Sequence, residues 1–211
     1  MEVYIKLDLK KMNHESRAKL VSCISEEKSL SIFAEDEHPL VRTEVAKNVN
    51  TTSAILSKLS EDKSPSVREA VAINANTPNA ILSILVEDNN WYVRRGVAKN
   101  INTTEELLVK LADDDRIGVL LEVAENTNSS EEILSKLIKL TVPEVRAGVA
   151  SNANASKEIL SILAEDSLDF VREEVARNAN TSRTTLEKLV NDCSASVASA
   201  ANNNIRGQTE T

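Results

Sequence analysis

The stretch "VREAVAINANTPNAILSILVED" runs from Val67 to Asp88, and versions of it return along the chain at a constant spacing of 26 residues. The valines that open the copies are Val41, Val67, Val93, Val119, Val145, Val171 and Val197. A self-similar period between about 20 and 50 residues is typical of a solenoid, in which each unit buries its apolar side chains against the next unit. The sequence therefore predicts one array of about seven repeats over residues 30–204.

The apolar spacing within one copy is that of helices. Ile55, Leu56 and Leu59 lie on one face of a helix, and Val67 and Val71 do so again after a short polar link. A strand would require strict alternation of apolar and polar residues, which is missing here. We therefore expect an all-α fold with two short helices in each repeat.

Hydroxyl and amide side chains separate the helices. Thr51 is expected to cap the first helix, and the pairs Thr103 with Glu106 and Ser129 with Glu132 have the spacing of a capping box. The second helix is expected to end at an asparagine, because this residue tolerates the left-handed conformation that ends many helices. The asparagines at this position are Asn48, Asn74, Asn100, Asn126, Asn152, Asn178 and Asn204.

Most copies also carry an Asp before the second helix and an Arg on it. Leu120 replaces one Arg, Leu140 replaces the Asp of the following copy, and Ala198 replaces the last Arg. Pairing within a repeat would break three pairs, whereas pairing each Arg with the Asp of the next repeat leaves only Asp36 unmatched. An uncompensated buried charge costs about 3–5 kcal/mol, so we expect the second arrangement. The expected pairs are Arg42 with Asp62, Arg68 with Asp88, Arg94 with Asp114, Arg146 with Asp166, and Arg172 with Asp192.

The pattern L-x-x-L-x-x-D-x-x-x-x-V-R-x-x-V-A-x-N-x-x-T, as in "LSKLSEDKSPSVREAVAINANT", resembles the leucine-rich repeat variant, a distant relative of HEAT-type solenoids. The resemblance implies a right-handed α-solenoid without a sheet, in which the second helix of each pair can be a 3₁₀ helix. One type of member binds an iron–sulfur cluster through clustered N-terminal cysteines. Cys23 is the only cysteine in this part of the chain, so we do not expect the cluster.

Composition and the chain ends set further expectations. The formal net charge is −8 with a pI near 5.0, which disfavours broad binding to phosphate backbones or anionic lipid. No combination of His14, His38, Cys23 or Cys193 has the spacing of a catalytic or metal site, so we expect no enzyme activity, no cofactor and no metal. The start lacks the long apolar run of a signal peptide, and we expect a cytoplasmic protein.

The predicted organisation has three parts. Residues 1–29 form an N-terminal cap, with a short extended start and a helix around residues 16–24. Residues 30–204 form the repeat array, and residues 205–211 form a flexible tail.

Candidate binding residues lie where copies differ without a structural reason. Trp91, Tyr92 and Arg95 have the side chains that most often dominate protein interfaces. Apolar residues at nearby positions of later copies are Ile117, Val142, Leu168 and Phe170. Equivalent positions line up along a solenoid, so we expect these residues to form one stripe. The alternative is that Trp91 and Phe170 pack back on neighbouring repeats.

These features favour a monomeric, non-catalytic scaffold that binds another protein through one face. A nucleic-acid binder of the HEAT-like DNA-repair type is a second hypothesis, because Lys47, Lys99 and Arg177 share one repeat position. Ile73 and Glu125 interrupt that row, which disfavours it. A third is an immunity or antitoxin-like protein whose acidic surface covers a basic partner.

Overall fold

The computed structural model describes residues 11–209, and this part of the chain contains fifteen α-helices and no strand. The helices are α1 (His14–Val21), α2 (Glu27–Phe33), α3 (Pro39–Lys47), α4 (Ser53–Leu59), α5 (Pro65–Ile73), α6 (Asn79–Leu85), α7 (Trp91–Lys99), α8 (Glu105–Leu111), α9 (Ile117–Glu125), α10 (Glu131–Leu137), α11 (Pro143–Ser151), α12 (Lys157–Leu163), α13 (Asp169–Arg177), α14 (Arg183–Leu189) and α15 (Ala195–Thr209).

After α1, the helices form seven pairs that follow the repeat period. The first helix of each pair, from α2 to α14 in even numbers, has seven residues, and the second helix, from α3 to α13 in odd numbers, has nine. The last second helix, α15, has fifteen. Both helices of every pair are α-helical, so the 3₁₀ helix that the resemblance implies is not found within residues 11–209.

The chain divides into two compact units, one through Thr103 and one from Thr104. In the first unit, α1, α3, α5 and α7 pack side by side in that order. In the second unit, α9, α11, α13 and α15 do the same. The second helices therefore form the closely packed row within each unit, and the first helices contact the second helices of the same unit that neighbour them in sequence.

The core consists of one aliphatic layer per repeat. First helices contribute pairs such as Leu56 with Leu59 and Leu134 with Leu137, and all four side chains are at most 2 % exposed. Second helices contribute small branched residues such as Val67, which is fully buried. Burying one such side chain contributes about 1.5–3 kcal/mol, so short helices can be stable here although isolated seven-residue helices are not.

The helix ends differ from the sequence prediction in two ways. The helix-ending asparagines are extended, with φ −65° and ψ 126° at Asn74, and no described residue, glycine included, has a positive φ. The buried hydroxyl of Thr77 does not cap the following helix but donates to the carbonyl oxygen of Val71 at 2.6 Å. The cap is the next residue, as at Ser182, whose Oγ accepts the N–H of Thr185 at 3.1 Å.

The predicted capping boxes are therefore wrong, because the third helical residue after each cap is Leu107 or Ile133 and not a glutamate. The residue that precedes α8 is Thr104, not Thr103, and the one that precedes α10 is Ser130, not Ser129. Of these two, Ser130 makes the capping hydrogen bond. Thr103 and Ser129 are fully buried. The sequence offers two adjacent polar residues at these positions, and burial of the first decides which one caps.

The two ends of the array are helical. The helix predicted around residues 16–24 is α1, which lies beside α3 as a second helix would, while the predicted extended start at residues 1–10 lies outside the described residues. At the other end, α15 continues through Thr209, so residues 205–209 of the predicted tail are helical. The amide of Gln208 donates to the carbonyl oxygen of Thr181 at 3.2 Å and holds this extension against the preceding turn.

Candidate functional site

Arginine and aspartate side chains join successive repeats within each unit in the inter-repeat register. Arg68 donates from Nε and Nη2 to the two carboxylate oxygens of Asp88, at 2.6 and 3.0 Å, and from Nη1 to the carbonyl oxygen of Asp62 at 2.7 Å. Each arginine thus joins the link of its own repeat to the link of the next. The same bidentate geometry occurs between Arg42 and Asp62, Arg146 and Asp166, and Arg172 and Asp192. The pairing of Arg94 with Asp114, which belong to different units, stays a prediction.

Asp36 is not left over, contrary to the sequence analysis. Arg17 of α1 donates from Nε and Nη2 to its carboxylate at 2.7 and 2.9 Å. Arg17 lies 25 residues before Arg42, not 26, so the strict 26-residue period does not predict that it pairs with Asp36. At the position where both partners are apolar, Leu120 is buried and Leu140 is half-buried.

The pairs hold their charges at neutral pH. Burial raises the pKa of Asp62, but the hydrogen bonds from Arg42 and from a backbone N–H outweigh burial and leave the pKa below its usual value. For Asp192 the hydrogen bond from Arg172 is the largest influence, and it lowers the pKa to about 2. These guanidinium groups therefore have intramolecular carboxylate partners and are not a phosphate site.

The repeated asparagines form a second set of contacts between repeats. Nδ2 of Asn74 donates to the carbonyl oxygens of Ala46 and Asn48 in the preceding repeat, at 2.7 and 3.1 Å. Its Oδ1 accepts the N–H of Asn76 at 2.8 Å, and Nδ2 of Asn76 donates to the carbonyl oxygen of Val49. Nδ2 donates to the preceding repeat in the same way at Asn100, Asn152, Asn178 and Asn204. The V-A-x-N-x-N motif is thus explained by structure, not by ligand binding.

Two glycines allow close approach of second helices, a role that the sequence analysis did not foresee. A Cβ on Gly96 would lie 3.0 Å from Cβ of Ala72, and one on Gly148 would lie 3.1 Å from Cδ1 of Leu121. Both glycines occupy the same repeat position on α7 and α11. A glycine in a helix interior is otherwise unfavourable, so its presence at this repeat position could have indicated a close contact.

Trp91, Tyr92 and Arg95 come together on the exposed face of α7 in the first unit. The Trp91 and Tyr92 rings stack with centroids 3.8 Å apart, and Cζ of Arg95 lies 5.7 and 5.4 Å from those centroids. Nη2 of Arg95 donates to Glu69 on α5 at 3.1 Å, while its Nε is buried and has no acceptor within the described residues. Tyr92 is 45 % exposed.

This cluster departs from what the helix itself would favour. Trp91 occupies the first residue of α7, where α3, α5 and α11 have proline. Proline is well suited to this position because its φ is already helical and the missing N–H costs nothing there. The tryptophan therefore adds contact area that the fold does not require.

The remaining candidate residues belong to the second unit. Ile117, Leu168 and Phe170 are exposed, and Val142 is half-buried at the start of α11. Leu168 and Phe170 lie at the start of α13, next to the acidic residues Asp169 and Glu173. The candidates thus form two groups, one in each unit, and the single stripe stays a prediction.

A groove begins at Glu173, about one helical turn after Phe170. It has a volume of about 780 Å³ and runs between α13 and α15, with Glu173 and Arg177 on one side and Ser196, Ser199, Asn203 and Gly207 on the other. Arg177 is paired with both Glu173 and Glu174. The groove is open to solvent, and its lining residues hold no catalytic constellation.

Other chemistry-bearing residues do not assemble into a site. His14 and His38 stack with ring centroids 3.8 Å apart, and Cys23 and Cys193 are exposed thiols. Within residues 11–209, no group of three or more His, Cys, Asp or Glu side chains is arranged to hold a metal ion. No helix of the same region is both long and apolar enough to cross a membrane.

Comparison with solved structures finds a similar repeat architecture. A structure described as "a leucine-rich repeat variant with a novel repetitive protein structural motif" is 26% identical, with a TM-score of 0.64 over 93% of this chain and 78% of that chain. An engineered protein has a TM-score of 0.38 at 17% identity, over 93% of this chain and 98% of its own. A designed armadillo repeat protein has 0.37 at 16% identity, over 86% and 99%. Comparison with protein-family profiles and with curated proteins gives no match.

Proposed function

Because the chain has the all-α repeat fold of the leucine-rich repeat variant, we propose that it is a non-enzymatic, cytoplasmic scaffold that binds another protein through the exposed face of its second helices. The observation that carries the proposal is the cluster of Trp91, Tyr92 and Arg95. A stacked aromatic pair under a guanidinium offers a rigid contact surface that loses little entropy on binding.

Two further observations support a binding role over a catalytic one. The polar residues that recur most often join successive repeats. They are the arginines and aspartates of the inter-repeat pairs, which we call the ladder, and the helix-ending asparagines. The residues that vary from copy to copy lie on the exposed sides of α7 and α13. Variation on a constant scaffold is how repeat proteins acquire specificity for a partner.

Nucleic acid is a poorer fit than protein. Of the three basic residues that share one repeat position, Lys47 pairs with Glu44 and Arg177 pairs with Glu173 and Glu174. Their charges are therefore neutralised locally and would gain little from phosphate. The formal net charge of −8 acts in the same direction.

A paired pull-down from a lysate of the source cells tests the proposal. The baits are the unmodified protein and the Trp91→Ala/Tyr92→Ala double variant, and Leu40→Ala is the matched control because Leu40 holds the position of Tyr92 in the first repeat and is 39 % exposed. We expect a protein that the unmodified bait and the control retain and the double variant loses. Retention of no protein by any bait would contradict the scaffold function, and equal retention by all three would remove the cluster from the interface.

A further inference from the structure

From the second unit we infer that the exposed side of α11 and α13 is a docking surface for a basic amphipathic segment of another protein. We call this surface the acidic face and define it by Glu144, Leu168, Asp169, Phe170, Glu173 and Glu174. The inference rests on the proposed scaffold function and names the chemistry of a partner.

The acidic face carries more carboxylates than basic groups. Glu144, Asp169, Glu173 and Glu174 contribute four carboxylates, and Arg177, which pairs with Glu173 and Glu174, is the one basic residue of α11 and α13 outside the ladder, so the surface keeps a formal charge of −3. The two ladder arginines of these helices are already matched by Asp166 and Asp192. Equivalent helix positions in the first unit, on α3, α5 and α7, hold Glu44, Lys47, Glu69, Arg95 and Lys99, so the acidity is not a property of the repeat itself.

Exposed apolar side chains lie between these charges. Leu168 and Phe170 are 38 % and 41 % exposed, and they flank Asp169 at the start of α13. At the position of Phe170 the neighbouring second helices have Glu144 and Ser196, so nothing in the repeat pattern calls for an aromatic ring there. Large apolar side chains surrounded by carboxylates match a segment that alternates apolar and basic side chains.

Space for a bound segment adjoins the acidic face at Glu173. The groove of about 780 Å³ between α13 and α15 is bordered on the α15 side by Ser196, Ser199 and Asn203, which carry no charge and little bulk. Asn204 and Gln208 complete the α15 side, so a bound segment along α13 would meet no charged side chain of α15 in the groove. A lysine or arginine side chain on that segment would meet Glu173, the one carboxylate that lines the groove, beside its partner Arg177.

Other occupants fit less well. A nucleic-acid backbone would bring phosphates against four carboxylates, which is repulsive. A second copy of this chain has a net charge of −8 and would meet the acidic face with like charge. Both remain outcomes that the experiment below distinguishes.

Fluorescence anisotropy with three labelled synthetic peptides tests the inference on the full chain. The probes are a helix-forming peptide with Leu on one face and Lys on the other, the same peptide with Glu in place of Lys, and a scrambled peptide of the first composition. We expect saturable binding of the Lys peptide, much weaker binding of the scrambled peptide, and none of the Glu peptide. Raising the salt from about 50 mM to about 300 mM should weaken binding several-fold, because screening shortens the range of the charges.

Variants place the binding on the acidic face. Glu144→Lys/Phe170→Ala should weaken binding of the Lys peptide about tenfold, because it reverses one charge and removes the exposed ring. The control, Ser66→Lys/Leu40→Ala, introduces a lysine and removes an exposed apolar side chain at the equivalent positions of the first unit, and it should change the affinity less than about twofold. Circular dichroism of both variants shows whether each is folded, as expected for substitutions of exposed residues.

Several results would overturn the inference. These are equal binding of the Glu and Lys peptides, equal effects of the two variants, or no saturable binding of the Lys peptide at low salt. Binding of duplex DNA or concentration-dependent self-association that the acidic-face variant abolishes would assign the face to another occupant. If the pull-down yields a partner that the acidic-face variant still retains, the scaffold function stands while this inference fails.

Discussion

At the scale of single residues, the protein depends on side chains that bond to two repeats at once. Arg68 joins its own link to Asp88 of the next repeat, and Asn74 reaches back to two carbonyl oxygens of the preceding one. A buried carbonyl oxygen that loses its donor costs about 1–3 kcal/mol, and a buried carboxylate costs more. Each repeat is therefore held by polar contacts on both sides in addition to its aliphatic layer.

The arginine ladder leads to a double-mutant prediction. Arg68→Leu leaves the carboxylate of Asp88, 9 % exposed, without its main partner, and we expect the free energy of unfolding to fall by about 2–3 kcal/mol. Arg68→Leu/Asp88→Leu should lose less than the sum of the single variants, since the chain already has Leu120 and Leu140 at one such position. Chemical denaturation followed by circular dichroism measures these differences.

The control for this series is an exposed ion pair. Arg183 and Glu187 on α14 are 58 % and 59 % exposed, so Arg183→Leu should change stability by less than about 0.5 kcal/mol. A loss as large as that of Arg68→Leu would show that the ladder has no special role. Strictly additive effects of the two ladder substitutions would contradict the pairing itself.

The ladder also predicts how stability depends on pH. The pKa of Asp192 is about 2 in the folded protein, below the value of about 3.9 for an unfolded aspartate. Its contribution is therefore complete above about pH 5 and is lost as the pH falls from about 4 towards 2. Thermal melts at a series of pH values should show this decline, and Arg172→Leu/Asp192→Leu should show a shallower one. Identical profiles for the two proteins would contradict the assignment.

At the scale of helices, close contact between second helices sets the side chains that each can carry. Gly96 and Gly148 occupy a position where a Cβ meets the neighbouring helix, whereas a Cβ on Gly207 of α15 meets nothing within 4 Å. Helix propensity favours alanine over glycine by about 1 kcal/mol at all three positions. Packing alone therefore decides whether a glycine-to-alanine substitution stabilises or destabilises the protein.

These glycines give a matched comparison. Gly96→Ala should lower the melting temperature, because the new methyl group would press on Ala72 and on the carbonyl oxygen of Glu69. Gly207→Ala should raise stability by up to about 0.5–1 kcal/mol, because only the propensity changes. Differential scanning calorimetry measures both, and stabilisation by Gly96→Ala would contradict the close approach of α5 and α7.

At the scale of the whole molecule, stability should be local to neighbouring repeats. In a repeat protein each unit contacts only the units next to it, so a change at one end does not spread uniformly. The last helix, α15, packs on α13 and α14 and buries Val197 and Ala201 completely. It runs past Asn204 instead of ending there, unlike the other second helices at the equivalent asparagine.

Deleting residues 191–211 tests this locality. Backbone amides of α13 and α14 should exchange with solvent much faster, because they lose the contacts with α15, while amides of α3 to α5 should keep their protection. Hydrogen–deuterium exchange read by mass spectrometry resolves these helices separately. A uniform loss of protection along the chain would show that the array unfolds as one cooperative body.

The sequence by itself determined the repeat length, the all-α class and the inter-repeat register of the ladder pairs observed within each unit. Each of these follows from the apolar spacing or from paired exceptions such as Leu120 with Leu140, and both can be read from the sequence alone. Only the tertiary structure decided that Arg17 completes the ladder at Asp36, that Thr77 is buried instead of capping, and that the helix-ending asparagines are extended. These features depend on which polar groups meet in the folded chain, across 6 to 28 residues, and the spacing of residue types along the sequence does not specify the partner or the burial of each group.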